Sequence, residues 1–488
     1  MRVVFMASEC VPFSKTGGLA DVVGALPQAL SAQGHQVDVF IPRYRMTQPG
    51  RPVPGASNVT FPVGRDLKSA SIQDGGKTQG VTTYLVEMPE YFDRDGLYQT
   101  KDGKNYPDNP ERFAAFCLAT LEFLKLPGSP ADILHCHDWQ TSFAPIFLRT
   151  KYRDDPRLQN ASVMLTIHNL GFQGIFPPQV LDRTGIPQSI FNPDQLEFFG
   201  QVNLLKGGIV FADFITTVSR KYAEEIRTEE LGFGLEGVLQ KSANRVQGIL
   251  NGVDYAAWDP ATDPLIAKTY SPVDLTGKSV CKQALLEKMG AKQPSLDRPV
   301  IGIVSRFATQ KGFDLIAEIA EQLMAMDLYI VALGTGEPKY EALFQSLAQR
   351  FPGRFLVRVA YDNELAHQIE AGADIFLMPS RYEPCGLNQI YSLKYGTVPV
   401  VRATGGLDDT IQDFDGAAGT GFKFRDYSPT ELLATLERAL KAYQDPAVWR
   451  QLIQEGMSKD YSWARSAAEY AKIYQRLAQE RGRTLTAV

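Results

Sequence analysis

The chain has 488 residues, of which 44% are hydrophobic and 22% charged. At roughly 100–200 residues per domain, that length calls for two to four domains, and the composition excludes a disordered tail, a collagen-like repeat and a solenoid of biased make-up. The 50 basic and 55 acidic residues leave a formal net charge of −5, which argues against a broad nucleic-acid-binding surface. Five cysteines (Cys10, Cys117, Cys136, Cys281 and Cys385) are odd in number and nowhere spaced C-x-x-C. That usage fits a reducing compartment and neither a disulfide framework nor a zinc ribbon. No run of about 18 apolar residues is present to span a membrane. The opening MRVVFMASEC leads into a Lys-Thr-Gly-Gly loop, so it reads as a first β-strand and not as a signal peptide. A soluble, cytoplasmic protein is the expectation, with no nucleic-acid or membrane partner.

Along the chain, short β-branched runs alternate with loops and amphipathic segments. The first series of strands is expected at 3–7, 36–41, 82–87, 133–137, 162–168 and 214–218. These runs are apolar on both faces, as in a parallel sheet covered on both sides. Residues 47–78, rich in Pro, Gly and Ser, read as loop or peripheral hairpin. A stretch from 255 to 298, with prolines and one helix over 278–289, separates this series from a second. The second series has strands at 299–305, 328–333, 355–360, 375–379 and 398–403, with helices near 313–326, 339–350, 363–372 and 387–395. This is α/β: two doubly wound, Rossmann-like domains facing across a cleft, with ligands at the carboxyl ends of the strands. The boundaries read as 1–255 for the first domain and 256–464 for linker plus second domain. A polar C-terminal helix at about 465–488 crosses back to the first domain.

Four strand-end strings carry chemistry. Lys15-Thr16-Gly17-Gly18-Leu19-Ala20-Asp21 puts a glycine pair and a cation at a helix start, where backbone N–H groups can approach an anion. It is neither a Walker loop nor a G-x-G-x-x-G fingerprint. A helical stretch follows, with Pro27 as a kink or restart. Ser305-Arg306-Phe307-Ala308-Thr309-Gln310-Lys311-Gly312 sets two cations before a helix, where they oppose its dipole unless an anionic ligand is present. In Ser380-Arg381-Tyr382-Glu383-Pro384-Cys385-Gly386-Leu387, Glu383 is placed to accept hydrogen bonds from sugar hydroxyls. Cys385 has no His–Asp partnership that would make it a nucleophile, so it reads as packing or lining. Thr404-Gly405-Gly406-Leu407 follows the next strand. Finally, His135-Cys136-His137-Asp138-Trp139 lies one strand before Thr166-Ile167-His168-Asn169. His135 and His137 share a strand face, but no further ligand cluster supports a metal site. Asn251 and Asp254 mark a turn near the end of the first series.

Together these strings resemble the bacterial glycogen synthase and plant starch synthase family. The resemblance rests on KTGGLADVVGALP at 15–27, HCHDWQT at 135–141, TIHN at 166–169, NGVD at 251–254, SRFATQKG at 305–312, EPCGLNQ at 383–389 and TGGLDDT at 404–410. They occur in the family's order over nearly the whole chain. The resemblance implies the two-domain GT-B arrangement. It also implies a hexosyltransferase that moves glucose from ADP-glucose to the non-reducing end of an α-1,4-glucan with retention of configuration. No cofactor and no metal are implied; the partners are the nucleotide-sugar donor and an α-glucan or maltooligosaccharide acceptor.

Residue by residue, the resemblance assigns Lys15, Gly17 and Gly18 to donor phosphate and glucose, with Asp21 supporting that loop on the sugar side. Arg306 and Lys311 neutralise the diphosphate, helped by the backbone N–H groups of Gly386 and Leu387 beside Cys385. Glu383 holds the transferred glucose, and His168 faces its C6 hydroxyl. Asp138, Asn169 and Asn251 line the sugar site, Tyr361 stacks on the base and Tyr98 faces the acceptor. Asn388 stands where bacterial members often carry Thr and several plant members Asn. Two alternatives stay open on the residues alone. One is another retaining GT-B glucosyltransferase, of sucrose, trehalose or glycolipid type. The other is a non-catalytic two-lobed sugar- or nucleotide-binding protein.

Overall fold

A computed structural model describes residues 1–292 and 294–481. The chain divides into two compact units. One comprises Met1–Val218, Ala223–Gly252 and the chain from Trp463 onward, and the other Ser219–Tyr222 and Val253–Ser462.

In the first unit seven parallel strands run in the order Val246–Gly248, Phe214–Thr217, Ser162–Ile167, Ile133–His137, Arg2–Met6, Gln36–Pro42, Val81–Glu87. The central strand Arg2–Met6 has no exposed residue from Val3 to Met6, because helices cover it on both sides. Val3 and Phe5 pack in one cluster with Val22 and Leu26 of the helix Gly18–Ala32 and with Tyr470 and Tyr474 of the helix Trp463–Glu480. The helix Gly18–Ala32 runs unbroken through Pro27, where a kink or restart is expected from sequence. The C-terminal helix is polar only on one side. Its buried side carries Trp463, Tyr470, Ile473, Tyr474 and Leu477, each contributing roughly 1.5–3 kcal/mol of burial. Of the expected span 465–488, residues 482–488 lie outside the described residues.

The stretch 47–78 holds more order than its composition suggests. Val59–Val63 pairs antiparallel with the long strand Asp66–Thr78, which pairs antiparallel with Val81–Glu87 and so extends the sheet. Only alternate positions, Ala70 and Ile72, are buried there. An antiparallel strand with one wet face is easily taken for loop.

The second unit has six parallel strands in the order Phe355–Val359, Tyr329–Gly334, Val300–Val304, Ile375–Met378, Val398–Arg402, Phe422–Phe424. Numbered along the chain this is 3-2-1-4-5-6, the doubly wound order. Ile301 and Ile303 face one core cluster, and Val300 faces another on the opposite side. The helices Phe313–Ala325, Pro338–Arg350, Asn363–Gly372 and Asn388–Lys394 lie within a residue or so of their expected places. The fold class is that expected from sequence: α/β, with two Rossmann-like units. No helix among the described residues is long and apolar enough to cross a membrane.

Candidate active site

In open parallel sheets, ligands bind beyond the carboxyl ends of the strands where the strand order reverses. The first unit reverses between Arg2–Met6 and Ile133–His137, and the second between Val300–Val304 and Ile375–Met378. Most of the residues singled out from sequence leave the sheets at these two places.

In the first unit, residues 7–17 follow the central strand. Lys15 Nζ donates to Asp21 Oδ1 at 2.7 Å, and both groups are partly exposed. Such a pair is worth at most about 1 kcal/mol, so Lys15 can exchange to a ligand anion at little cost. Gly17 and Gly18 are exposed, and a Cβ on either meets no protein atom within 4 Å. Neither has a left-handed φ, so the unit itself does not require glycine there. What their missing side chains leave is room for something outside the protein.

The loop is organised by Glu9, which sequence reasoning missed. Its buried carboxylate accepts from Thr16 N, from Thr16 Oγ1 at 2.9 Å, from Gly17 N at 3.3 Å and from the Tyr98 hydroxyl at 3.0 Å. Burial raises its pKa against those hydrogen bonds. Tyr98, assigned to the acceptor, uses its hydroxyl on Glu9 and on Ser8 Oγ at 2.7 Å. The N–H of Gly17 is likewise turned to Glu9 and not outward. Glu9→Gln keeps the shape but sets an amide against the two N–H donors. It is expected to lower kcat/KM for the donor about tenfold, since near-attack geometry is lost by shifts of about 1 Å. Initial-rate kinetics at varied donor concentration check this, and unchanged kcat/KM would remove Glu9 from the site's support.

At the other side of the reversal, His137 and Asp138 end the strand Ile133–His137. Asp138 has a left-handed φ of 57°, a strained conformation of the kind that collects at functional sites. It lets Oδ1 accept the His168 N–H at 2.7 Å, joining the ends of two neighbouring strands. Desolvation pushes its pKa up to about 7, against the hydrogen bonds from the His168 and Asn169 backbones. A carboxyl whose folded pKa lies above its unfolded value binds more protons folded than unfolded between about 4 and 7. Its contribution to stability therefore falls as pH rises through that window. Asp138→Asn retains the acceptor oxygen and tolerates the left-handed backbone. The melting temperature of the parent minus that of the variant is expected to decrease from pH 4 to pH 7; a flat difference would count against the raised pKa.

His168 lies 2.9 Å from His137, Nε2 to Nδ1, and burial lowers its pKa to about 3, so the ring is neutral at neutral pH. Asn169 turns its Oδ1 to the Gly171 N–H at 2.9 Å. Asn251 is buried, with Oδ1 lacking a hydrogen-bond partner. A Cβ on its neighbour Gly252 meets the Trp463 backbone at 2.5 Å. The glycine of that string therefore serves the docking of the C-terminal helix. No group of three or more His, Cys, Asp or Glu among the described residues is placed to hold a metal ion.

In the second unit the loops 305–312 and 379–387 meet across the reversal. Lys311 Nζ donates to Glu383 Oε2 at 2.5 Å, and Ser380 Oγ donates to the same oxygen at 3.1 Å. Oε1 is left for other donors. Arg381 N donates to Gln310 O at 2.8 Å, so the two loops are also tied through backbone. Arg306 is exposed and takes no ion pair among the described residues, and Tyr361 at the end of Phe355–Val359 is 81% exposed. Cys385 is buried, and Gly386 takes a left-handed φ of 72° before Leu387 and the helix Asn388–Lys394. Asn388 Nδ2 donates to Val304 O at 2.6 Å, so its amide is used inside the unit, anchoring that helix to the central strand.

Two supports of this half escaped sequence reasoning. Glu337 accepts from Thr309 N at 2.7 Å, holding the loop before Lys311. Gly405 and Gly406 back the Glu383 loop: a Cβ on Gly405 meets Glu383 O at 1.9 Å and one on Gly406 meets Cys385 O at 2.0 Å. A paired-glycine string one strand later was the signal, but only the packing says what it touches.

Two Rossmann-like units with cations, a carboxylate and a neutral histidine at their sheet reversals define the class: a GT-B glycosyltransferase. Comparison with known proteins narrows it. The starch synthase catalytic domain family matches residues 2–241, and the family of glycosyl transferases group 1 matches residues 287–455. Glycogen synthase of Koribacter versatilis is 53% identical over 99% of this chain and 99% of its own length. That of Anaeromyxobacter dehalogenans is 47% identical over 98% of this chain and all of its own. The catalytic domain of starch synthase IV from Arabidopsis thaliana, solved bound to ADP and acarbose, superposes with a TM-score of 0.88 at 34% identity, covering 98% and 99% of the two chains. Sucrose-phosphate synthase from Thermosynechococcus elongatus shares the fold, with a TM-score of 0.60 at 18% identity over 98% of this chain and 99% of its own. The chain belongs to the glycogen synthase family and is a hexosyltransferase of glycogen and starch synthesis.

Proposed function

We propose that this enzyme transfers glucose from ADP-glucose to the non-reducing end of an α-1,4-glucan with retention of configuration, and that the residues gathered at the two sheet reversals serve this one reaction. The observation that carries the reading is the Lys311–Glu383 pair in the second unit. It sets a cation suited to a diphosphate beside a carboxylate with a free oxygen suited to sugar hydroxyls. The ADP and acarbose of the Arabidopsis relative support a nucleotide donor and a glucan-like acceptor. The five buried, unpaired cysteines support work in a reducing, cytoplasmic compartment.

Cleavage of the glucosyl–phosphate bond puts negative charge on the leaving diphosphate and positive character on the sugar. Lys15, Arg306 and Lys311 stabilise the first, and the N–H groups of Gly386 and Leu387 add to them. Preorganised groups aimed at developing charge are each worth a few kcal/mol. Gly17 and Gly18 leave room for the phosphates and the glucose. Glu383 Oε1 holds sugar hydroxyls while Oε2 stays on Lys311 and Ser380. His168, Asp138, Asn169 and Asn251 line the sugar, with Asp21 steadying Lys15. Tyr361 offers an exposed ring to the base, and Tyr98 serves the acceptor side through the Glu9 network. Retention through two displacements needs a second carboxylate about 5 Å from the first. Glu383 is instead committed to Lys311, which favours same-face displacement, the departing phosphate taking the proton of the attacking hydroxyl.

The test is incubation with labelled ADP-glucose or UDP-glucose, with glycogen or short maltooligosaccharides as acceptor. Label from ADP-glucose in the polymer is the expected result. Label from UDP-glucose alone would overturn the donor, and label from neither would favour a binding protein. A covalent glucosyl–enzyme adduct trapped without acceptor would refute same-face displacement.

A further inference from the structure

His137 is not among the residues assigned to the reaction. It is fully buried at the end of the strand Ile133–His137, stacked on the Phe5 ring at 5.3 Å and on the His135 ring at 4.3 Å. Its Nδ1 lies 2.9 Å from His168 Nε2. Its other nitrogen, Nε2, is buried and has no hydrogen-bond partner among the described residues. The neighbouring His135 differs: both of its nitrogens are used, Nε2 with Thr166 Oγ1 at 2.6 Å and Nδ1 with the Tyr474 hydroxyl at 2.7 Å.

Burial lowers the pKa of both His137 and His168, so each ring is neutral and carries one proton. Of the two nitrogens that face each other, one donates and the other accepts. If His168 donated, the proton of His137 would sit on Nε2, an N–H buried without an acceptor. If His137 donates, Nε2 is only a bare lone pair. Buried orphan N–H groups are rarer than under-used acceptors, because an unmade donor forfeits its whole desolvation cost.

We propose that His137 donates from Nδ1 to His168 Nε2 and so fixes His168 as the Nδ1–H tautomer, making His137 a positioning residue for the reaction. The remaining nitrogen of His168 then meets a ligand oxygen as a neutral hydrogen-bond donor and cannot take a proton from it. Asp138 completes the placement by holding the His168 backbone N–H at 2.7 Å. The consequence for function rests on the proposed placement of His168 beside the transferred sugar. The tautomer itself does not.

Nitrogen NMR of the full chain labelled with ¹⁵N-histidine tests the tautomer without any ligand, the chain having only five histidines to assign. His168→Gln identifies the His168 resonances. A pyrrole-like Nδ1 and a pyridine-like Nε2 on His168 are expected; the reverse, or averaging of the two, overturns the proposal. Kinetics then test the role. Asparagine can place an amide N–H near the position of Nδ1, whereas leucine cannot. His137→Leu is expected to lower kcat about tenfold with donor KM changed less than twofold, and His137→Asn to restore most of the loss. Equal impairment of the two variants at equal melting temperature, or impairment of neither, overturns the positioning role. If His168→Gln keeps full turnover while the tautomer is as expected, it is the placement of His168 beside the sugar that fails.

Discussion

Lys311→Ala is expected to cut turnover on the order of 10²-fold, the usual effect of removing one preorganised group that meets developing charge. It should also destabilise the second unit. Lys311 and Glu383 side chains are only 18% and 8% exposed, and truncating one partner of a largely buried pair strands the other charge, at a cost of about 3 kcal/mol. Arg306→Ala separates the two effects. Arg306 is exposed and has no ion pair among the described residues, so a comparable loss of turnover is expected with an unchanged denaturation midpoint. Steady-state rates and urea titrations on the two variants make the comparison. Full turnover in both would remove these cations from the reaction, and equal stability loss in both would contradict the burial difference.

Gly405→Ala is expected to damage both stability and activity although Gly405 touches no substrate in the reading above. Its φ is 46°, and an added Cβ would lie 1.9 Å from the Glu383 carbonyl oxygen. The left-handed backbone alone costs a side chain roughly 1–3 kcal/mol, and the contact with backbone forces the Glu383 loop to move. A fall in melting temperature of about 5 °C or more follows for a unit of this size, with turnover lowered because Glu383 is displaced. Gly18→Ala is the control. Gly18 opens the helix Gly18–Ala32 with no protein atom within 4 Å of its Cβ position, and alanine favours a helix over glycine by about 1 kcal/mol. The melting temperature should hold or rise while donor KM increases. Calorimetry and donor kinetics on the pair check this; a stable Gly405→Ala protein would show that the loop is free to shift.

The contrast between these glycines marks the boundary of what can be read from residue order. Both pairs stand between a strand and a helix, so both look like ligand loops. Only the packing shows that Gly17 and Gly18 face open space while Gly405 and Gly406 lie against the backbone of 383–385. The same holds for polar groups. Glu9, Glu337 and His137 act on residues that come from elsewhere in the chain or across strand ends, such as Tyr98 at 3.0 Å from Glu9 and His168 at 2.9 Å from His137. Their partners lie up to 89 positions away, beyond any local pattern.

Strand and helix positions were legible because a buried parallel strand must be apolar on both faces, and such runs stand out between polar turns. Residues 66–78 were not, since one wet face dilutes the signal, and the short strands Val246–Gly248 and Phe422–Phe424 offer too few residues for any period to show. By itself, then, the order of residues determined the α/β class, the two series of strands and the family, through strings of residue types that the chemistry of a sugar nucleotide demands. Tertiary structure alone decided which groups within those strings meet. The pairing of Lys311 with Glu383, the backing of that loop by glycine and the facing of His137 and His168 all depend on strand order, and strand order brings together residues that the chain keeps apart.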